Sequence, residues 1–376
     1  MSEPAPPIPI ENIYYLFCYA WDRFDEAQAI SVGAVASPDL PNLLAKVLLA
    51  GTRTLLRRGL DRGYQPQQEE IATVRGHIEL GETLQLQARR TRRLHCSFDE
   101  LSHDVLHNRI LKASLRRLAK APTLDRGLAH ELQLLARRFA DVADIRLDRT
   151  VFGRVQLHRN NGRYDLLLRI AELAFNSLLP DTDGLGFRFH NVLRDERKMA
   201  AVFEAFVRNF YRSEQRTYAV EPLMMRWDAE PLFEEGAGQL PAMRVDVFLR
   251  SPGRQLIIDT KYYADALQAY HGAATFRSSH LYQIFAYLKN GERTAGLSNC
   301  DGLLLYPEAR SRPDASYQVH GHEVRIATVD LSKPWASIAA RLHELADDEH
   351  AMNSDACRLA VSDDQSRAAN LRLVHC

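Results

Sequence analysis

The sequence predicts an α/β domain with a mixed sheet in its C-terminal half, behind an N-terminal domain of mixed α+β character. Three observations carry that expectation. An amphipathic helical stripe around 199–210 leads into two strand-like segments, 243–249 and 255–263, and helical and strand-like segments then alternate to about residue 345. The densest cluster of breakers in the chain, Pro-Asp-Thr-Asp-Gly-Leu-Gly at 180–186, separates the halves. At 376 residues the chain is also long for a single core. The expected division is 1–185, 186–345 and a polar tail at 346–376.

The elements follow in order. Residues 1–9 are proline-rich, and Ile13, Leu16, Phe17 and Ala20 then recur at helical spacing, predicting a helix over 11–25. A second helix is expected at 40–59, with Gly59 as its stop. The stretch 70–86 alternates as strands do, with Gly76 and Gly81 as bends. Arg89, Arg90, Arg92 and Arg93 follow as a basic knot, and 51–120 carries 14 basic against 8 acidic residues, a local excess able to face an anion or simply water. Helices are expected at 104–118, 129–140 and 164–179, with strand and turn at 145–157 around Gly153. Beyond the boundary, Met199, Val202, Phe203, Phe206, Val207 and Phe210 form one helical stripe with Glu204 on its flank. Later segments predict a helix at 279–290, strands at 303–306 and 324–329, and a closing helix at 335–345.

Composition excludes several classes. Basic and acidic side chains balance at 48 each, so any nucleic-acid contact must come from local patches. Seven lysines leave 41 arginines among the cations, and none of those lysines follows a glycine. The chain therefore has no phosphate-binding G-K-[ST] loop and no nucleotide motor of its own. Five scattered cysteines without a C-x-x-C argue against a disulfide framework or structural zinc. No apolar run approaches the roughly 20 residues of a membrane span, and the N-terminus lacks the pattern of a signal peptide. A cytoplasmic location is expected.

The chemistry is concentrated after 240. Leu256, Ile257 and Ile258 read as a buried strand that runs straight into Asp259-Thr260-Lys261. Placing ions at the end of a buried strand is costly unless they are used or paired. Alternation puts Asp259 and Lys261 on one face, and a hairpin can bring Asp246 from the preceding strand to the same place. Two carboxylates and an ammonium make a hard-cation site, with Lys261 beside the position of an attacking water. Glu204 lies on the preceding helix. Gln283 and Tyr287, four apart on the later helix, share a face and suit a role in orienting the site or a DNA backbone. His280 reads as a satisfied polar residue on that helix.

This order of parts resembles the PD-(D/E)xK nuclease superfamily, matched at Glu204, Asp246, Asp259, Lys261, Gln283 and Tyr287, with Val245 where the superfamily's proline stands. The N-terminal half narrows the resemblance. Pro9-Ile-Glu-Asn-Ile-Tyr-Tyr-Leu-Phe-Cys-Tyr-Ala-Trp-Asp22, Val74-Arg-Gly-His-Ile78, Cys96-Ser-Phe-Asp-Glu-Leu-Ser-His-Asp104 and Asn108-Arg-Ile-Leu-Lys112 look like segments of McrC proteins. The resemblance implies the endonuclease subunit of a restriction complex that cuts double-stranded DNA carrying modified cytosine. It further implies an AAA+ GTPase partner of McrB type, which reads the modified base and is stimulated by the N-terminal domain. Mg²⁺, or Mn²⁺ in its place, would be held by Asp246, Asp259 and the main-chain carbonyl of Thr260. Two other readings stand beside it: a non-catalytic activator of the GTPase, and a stand-alone repair nuclease.

Overall fold

A computed structural model of the chain describes residues 8–29, 39–180, 187–189, 195–233, 239–262, 267–270, 273–294, 296–308 and 313–347. The expected tail from 348 onward and the breakers at 181–186 lie outside these residues. The chain divides into two compact units, one of Trp21–Asp195 and one of Met1–Ala20 with Glu196–Cys376. The expected boundary after 185 is thus replaced by one at Asp195/Glu196, and the first helix belongs with the C-terminal sheet.

That helix, α1 (Ile10–Ala20), buries Ile13, Leu16, Phe17 and Tyr19. The rings of Tyr19 and Trp335 stack at 5.3 Å, and Asn209 Nδ2 donates to the Tyr19 carbonyl at 2.8 Å. An apolar helical face must be covered somewhere, and its cover comes from far downstream, at Asn209 and Trp335. The single helix expected over 11–25 is two, because Asp22 takes a left-handed φ of 58° and ends α1 before α2 (Phe24–Ala29) begins.

The Trp21–Asp195 unit is mainly helical. Its α3 (Leu40–Arg58) is capped by Asp39, whose carboxylate accepts from Asn42 N at 2.9 Å, and stops at Gly59 with φ 88°. Next come β1 (Gly63–Ile71), β2 (His77–Ile78), α4 (Leu80–Ala88) and β3 (Leu94–Ser102), forming a sheet of order β1-β3-β2 with a helix at its side. Residues 80–86, expected as strand, are helix: Thr83 and Leu86, three apart, supply the buried face, and Thr83 Oγ1 accepts from His95 N at 3.0 Å. Then follow α5 (Leu106–Leu118), α6 (Arg126–Arg137), α7 (Arg149–Gly153), α8 (Asp165–Ser177), β4 (Leu178–Pro180) and β5 (Phe187–Phe189). The strand expected around 145–157 gives way to α7, since Asp148 caps the amides of Thr150 and Val151 at 2.8 and 2.9 Å. The core of this unit includes Leu44, Leu48, Ile110, Leu111, Leu115, Leu132 and Ile170.

The other unit is a mixed sheet flanked by helices. After α9 (Glu196–Glu214) come β6 (Ala219–Glu221), β7 (Met224–Met225), β8 (Met243–Arg244), β9 (Val247–Arg250), β10 (Gln255–Thr260), β11 (Leu267–Tyr270), β12 (Ala273–Phe276), α10 (Ser278–Thr294), β13 (Cys300–Pro307), β14 (Ala315–Val319), β15 (His322–Val329) and α11 (Trp335–Ala346). Six strands line up as β14-β15-β13-β10-β9-β6, with β10, β13 and β15 parallel and the flanking pairs antiparallel. The central parallel strands are covered on both faces, which is why Leu256–Ile258 and Leu303–Tyr306 read as unbroken apolar runs. Helix α10 lies close over β13 at Gly302, where an added Cβ would stand 2.9 Å from Ile284 Cγ1. The alternating face of the expected 243–249 strand hid a break: Val245 and Asp246 separate β8, which pairs with β7, from β9, which pairs with β10.

Candidate active site

The break positions Asp246. The β9–β10 ladder ends at Val247↔Ile258, so the Thr260 amide finds no strand partner on that side. The Asp246 carboxylate takes that place: Oδ2 accepts from Thr260 N and from Thr260 Oγ1, each at 2.9 Å. Alternation alone sent the Thr260 side chain away from the site; its hydroxyl instead turns to Asp246.

One residue back, Asp259 is 0% exposed, and neither carboxylate oxygen has a well-aligned donor among the described residues. Lys261 Nζ stands 2.5 Å from Oδ2 as its ion-pair partner. Burial pushes the Asp259 carboxyl up to about 6; Lys261 opposes this, and the charges of Asp246 and Glu204 add to it. The expected shared face of Asp259 and Lys261 is therefore present, with Asp246 within electrostatic reach.

Lys261 is held from α10. Its Nζ donates to Gln283 Oε1 at 3.0 Å, Gln283 Nε2 donates to Tyr287 OH at 2.7 Å, and Tyr287 OH donates to the Arg244 carbonyl at 2.9 Å. This relay runs from the lysine to the segment carrying Asp246, using the two residues singled out by their four-residue spacing. His280 lies one turn earlier, buried, with Nδ1 and Tyr306 OH 2.8 Å apart. Burial, with Lys261 and Arg277 nearby, pushes its imidazole down to about 4, so it is neutral at physiological pH.

Glu204 sits on α9 as expected, but its Oε1 is engaged by guanidiniums: Arg208 Nη2 donates to it closely and Arg244 Nη2 at 3.3 Å. Arg208 also donates through Nε to the Asp246 carbonyl at 2.9 Å. Neither arginine was singled out in the sequence, although Arg208 lies one turn beyond Glu204 and that spacing was available as a signal. The Thr260 hydroxyl was missed as well.

Among the described residues no three His, Cys, Asp or Glu side chains group as a ready-made metal centre. The donor set nonetheless fits a hard cation. A buried carboxylate without aligned donors, next to a second carboxylate, is stabilised by a positive charge placed between them. A cavity of about 550 Å³ lined by Arg58, Arg62, Arg138 and Arg163 belongs to the other unit and holds none of these residues.

The sequence matches the family described as McrBC 5-methylcytosine restriction system component over residues 12–307. The chain belongs to that family. The matched span holds nearly all of the McrC-like blocks and every site residue from Glu204 to Tyr287. A curated relative, the type IV methyl-directed restriction enzyme EcoKMcrBC of Escherichia coli (strain K12), is 29% identical over 348 residues, covering 91% of this chain and 98% of the relative. Among solved structures, the half-complex from the tetradecameric assembly of Thermococcus gammatolerans McrB AAA+ hexamers with bound McrC aligns with a TM-score of 0.57. That alignment is at 16% identity and covers 90% of this chain and 76% of that one. It is a likeness of fold. No helix among the described residues of this McrBC-family chain is long and apolar enough to cross a membrane.

Proposed function

We propose that this chain is the DNA-cutting subunit of its restriction system, with a PD-(D/E)xK-type core that hydrolyses phosphodiester bonds. The observation that carries the reading is the fully buried Asp259 carboxylate, paired with Lys261 and neighboured by Asp246 at the end of a central strand. Such a group is costly to keep unless a bound cation completes it. Asp246 and Asp259, with the Thr260 carbonyl, would hold Mg²⁺ or Mn²⁺. When bound, the ion supplies Lewis-acid polarisation of the phosphate and lowers the pKa of the attacking water.

The protein's own part is positional and electrostatic. Of the three N–H bonds on Lys261 Nζ, Gln283 takes one and Asp259 Oδ2 faces another, leaving the third able to donate to a non-bridging phosphate oxygen as charge builds there. Gln283 and Tyr287 keep that ammonium from turning away. Glu204 stabilises the cationic rim formed by Arg208 and Arg244. Thr260 fixes the Asp246 carboxylate.

The chain lacks a nucleotide motor, so nucleotide-driven steps fall to a partner. The Thermococcus gammatolerans assembly pairs McrC with McrB AAA+ hexamers, and the E. coli relative is described as methyl-directed. We assign this chain a partner of the same kind, a McrB-like AAA+ GTPase acting with it in the cytoplasm on double-stranded DNA with modified cytosine. The β1–β3 sheet and α4 suit docking: Tyr64 and Leu101 on the sheet and Leu80 and Leu84 on the helix are exposed apolar side chains. The experiment is cleavage of methylated plasmid by the full chain with its partner, GTP and Mg²⁺. Asp259→Asn is expected to remove cleavage while GTPase stimulation persists. Cutting at the wild-type rate by that variant would refute the site. A wild type that stimulates the GTPase yet cuts no modified substrate would favour the non-catalytic activator.

A further inference from the structure

The segment carrying Asp246 is not strand, yet it is fixed at every residue. The Arg244 carbonyl accepts from Tyr287 OH at 2.9 Å, Val245 N donates to the Leu223 carbonyl at 3.0 Å, and the Asp246 carboxylate is tied to Thr260. The Asp246 carbonyl is held by Arg208 Nε at 2.9 Å. The other end of that guanidinium rests on Glu204, one turn earlier on the same helix. An ordinary i,i+4 ion pair on a helix leaves its guanidinium in water and contributes little. Here Arg208 turns inward, and its side chain and that of Glu204 are each 27% exposed.

We infer that Arg208 is a positioning residue for the Asp246 carboxylate: by fixing the Asp246 main chain, it keeps the carboxylate against Thr260 and beside Asp259, with Glu204 orienting the guanidinium. The need is physical. Asp246 and Asp259 repel one another until a cation binds, and outside the ladder nothing else restrains the Asp246 main-chain carbonyl among the described contacts. A planar fork presents its Nε and Nη2 donors to the carbonyl and the carboxylate in one fixed geometry, which a rotating ammonium does not. This inference rests on the reading of Asp246 and Asp259 as the cation site.

The test uses the full chain with three substitutions: Arg208→Met, which keeps the stem and removes both bonds, Arg208→Lys, and Asp259→Asn. Mn²⁺ binding is measured by electron paramagnetic resonance without DNA, and hydrogen exchange at the Thr260 amide without metal. Loss of a group that orients a metal ligand typically lowers metal affinity about 10- to 100-fold, and that is the range expected for Arg208→Met. Thr260 amide exchange should quicken, because the Asp246 acceptor is less firmly placed, and kcat should fall with little change in KM for DNA. Arg208→Lys should recover part of the affinity. If Arg208→Met binds Mn²⁺ like the wild type and protects Thr260 equally, while Asp259→Asn loses Mn²⁺, the positioning role is refuted and the cation site stands. If Asp259→Asn itself binds Mn²⁺ normally, the site reading fails and the inference with it. Should Arg208→Met not fold, Glu204→Met decides: it removes the acceptor that orients the guanidinium, and an unchanged Mn²⁺ affinity overturns the proposal.

Discussion

Asp104 and Asp259 receive opposite treatment from the same chain. Asp104, in the helical unit, accepts Nε and Nη2 of Arg109 at 2.7 Å each and the Ala143 amide at 2.7 Å. The Arg109 bonds hold its carboxyl below the usual range; burial opposes them, and the Ala143 amide and Lys112 charge reinforce them. Asp259 is more deeply buried, lacks any aligned donor among the described residues and is pushed up to about 6. A satisfied carboxylate is what a fold makes when it uses charge for its own stability. One held among the described residues by a single lysine, with a second aspartate nearby, is what the proposed cation site would need.

The sharpest way to break this contrast is Lys261→Met. Methionine keeps the stem and removes the ammonium that stands against Asp259. Cleavage in the complete system is expected to fall by about 10² to 10⁴, the usual cost of losing a charge stabiliser or general base. Mg²⁺ and DNA binding should persist. Retained cleavage would mean that Asp259 and Lys261 are only a buried structural pair, of the same kind as Asp104 and Arg109.

A smaller effect is expected at Tyr287→Phe. The ring still fills its place in the core cluster that includes Val245 and Ile284, but the hydroxyl between Gln283 and the Arg244 carbonyl is gone. Gln283 can then swing, loosening Lys261, and kcat should fall on the order of 10-fold, as losses of orienting hydrogen bonds commonly do. The check is single-turnover cleavage beside a melting curve. A lowered Tm with an unchanged rate would make the relay structural.

Much of this corner was legible because its signals are local. The run Leu256–Ile258 ending in Asp259-Thr260-Lys261 declares a strand and a charged terminus together, and the Gln283–Tyr287 spacing survives into the relay. What was illegible depended on distance or on ambiguous local preference. Nothing within residues 10–20 says that Trp335 and Asn209 will cover them, so the first helix was placed in the wrong unit. The alternation from Met243 to Leu249 reads as one strand, and only the change of partner, β7 to β10, breaks it at Asp246. Residues 80–88 satisfy either period, and packing chose helix.

The mildest test concerns Asp104 and reads the contrast through pH. Its folded-state pKa is depressed, so its contribution to stability is present above the unfolded value, ordinarily about 3.9, and is lost as pH falls through the folded value. Asp104→Asn keeps an acceptor for the Ala143 amide but gives up the charge facing Arg109. It should therefore cost about 1 kcal/mol or less near neutrality, given partial exposure and the modest gain of charge-assisted bonds. At low pH, where the wild-type carboxylate is protonated as well, the variant should cost nothing. Denaturant midpoints for both proteins measured from pH 7 down to pH 2 would show the two curves converging as acid is added. Parallel curves would show that the Arg109 bonds do not distinguish the charged from the neutral side chain, and Asp104 would then cease to be the satisfied counterpart against which Asp259 is read.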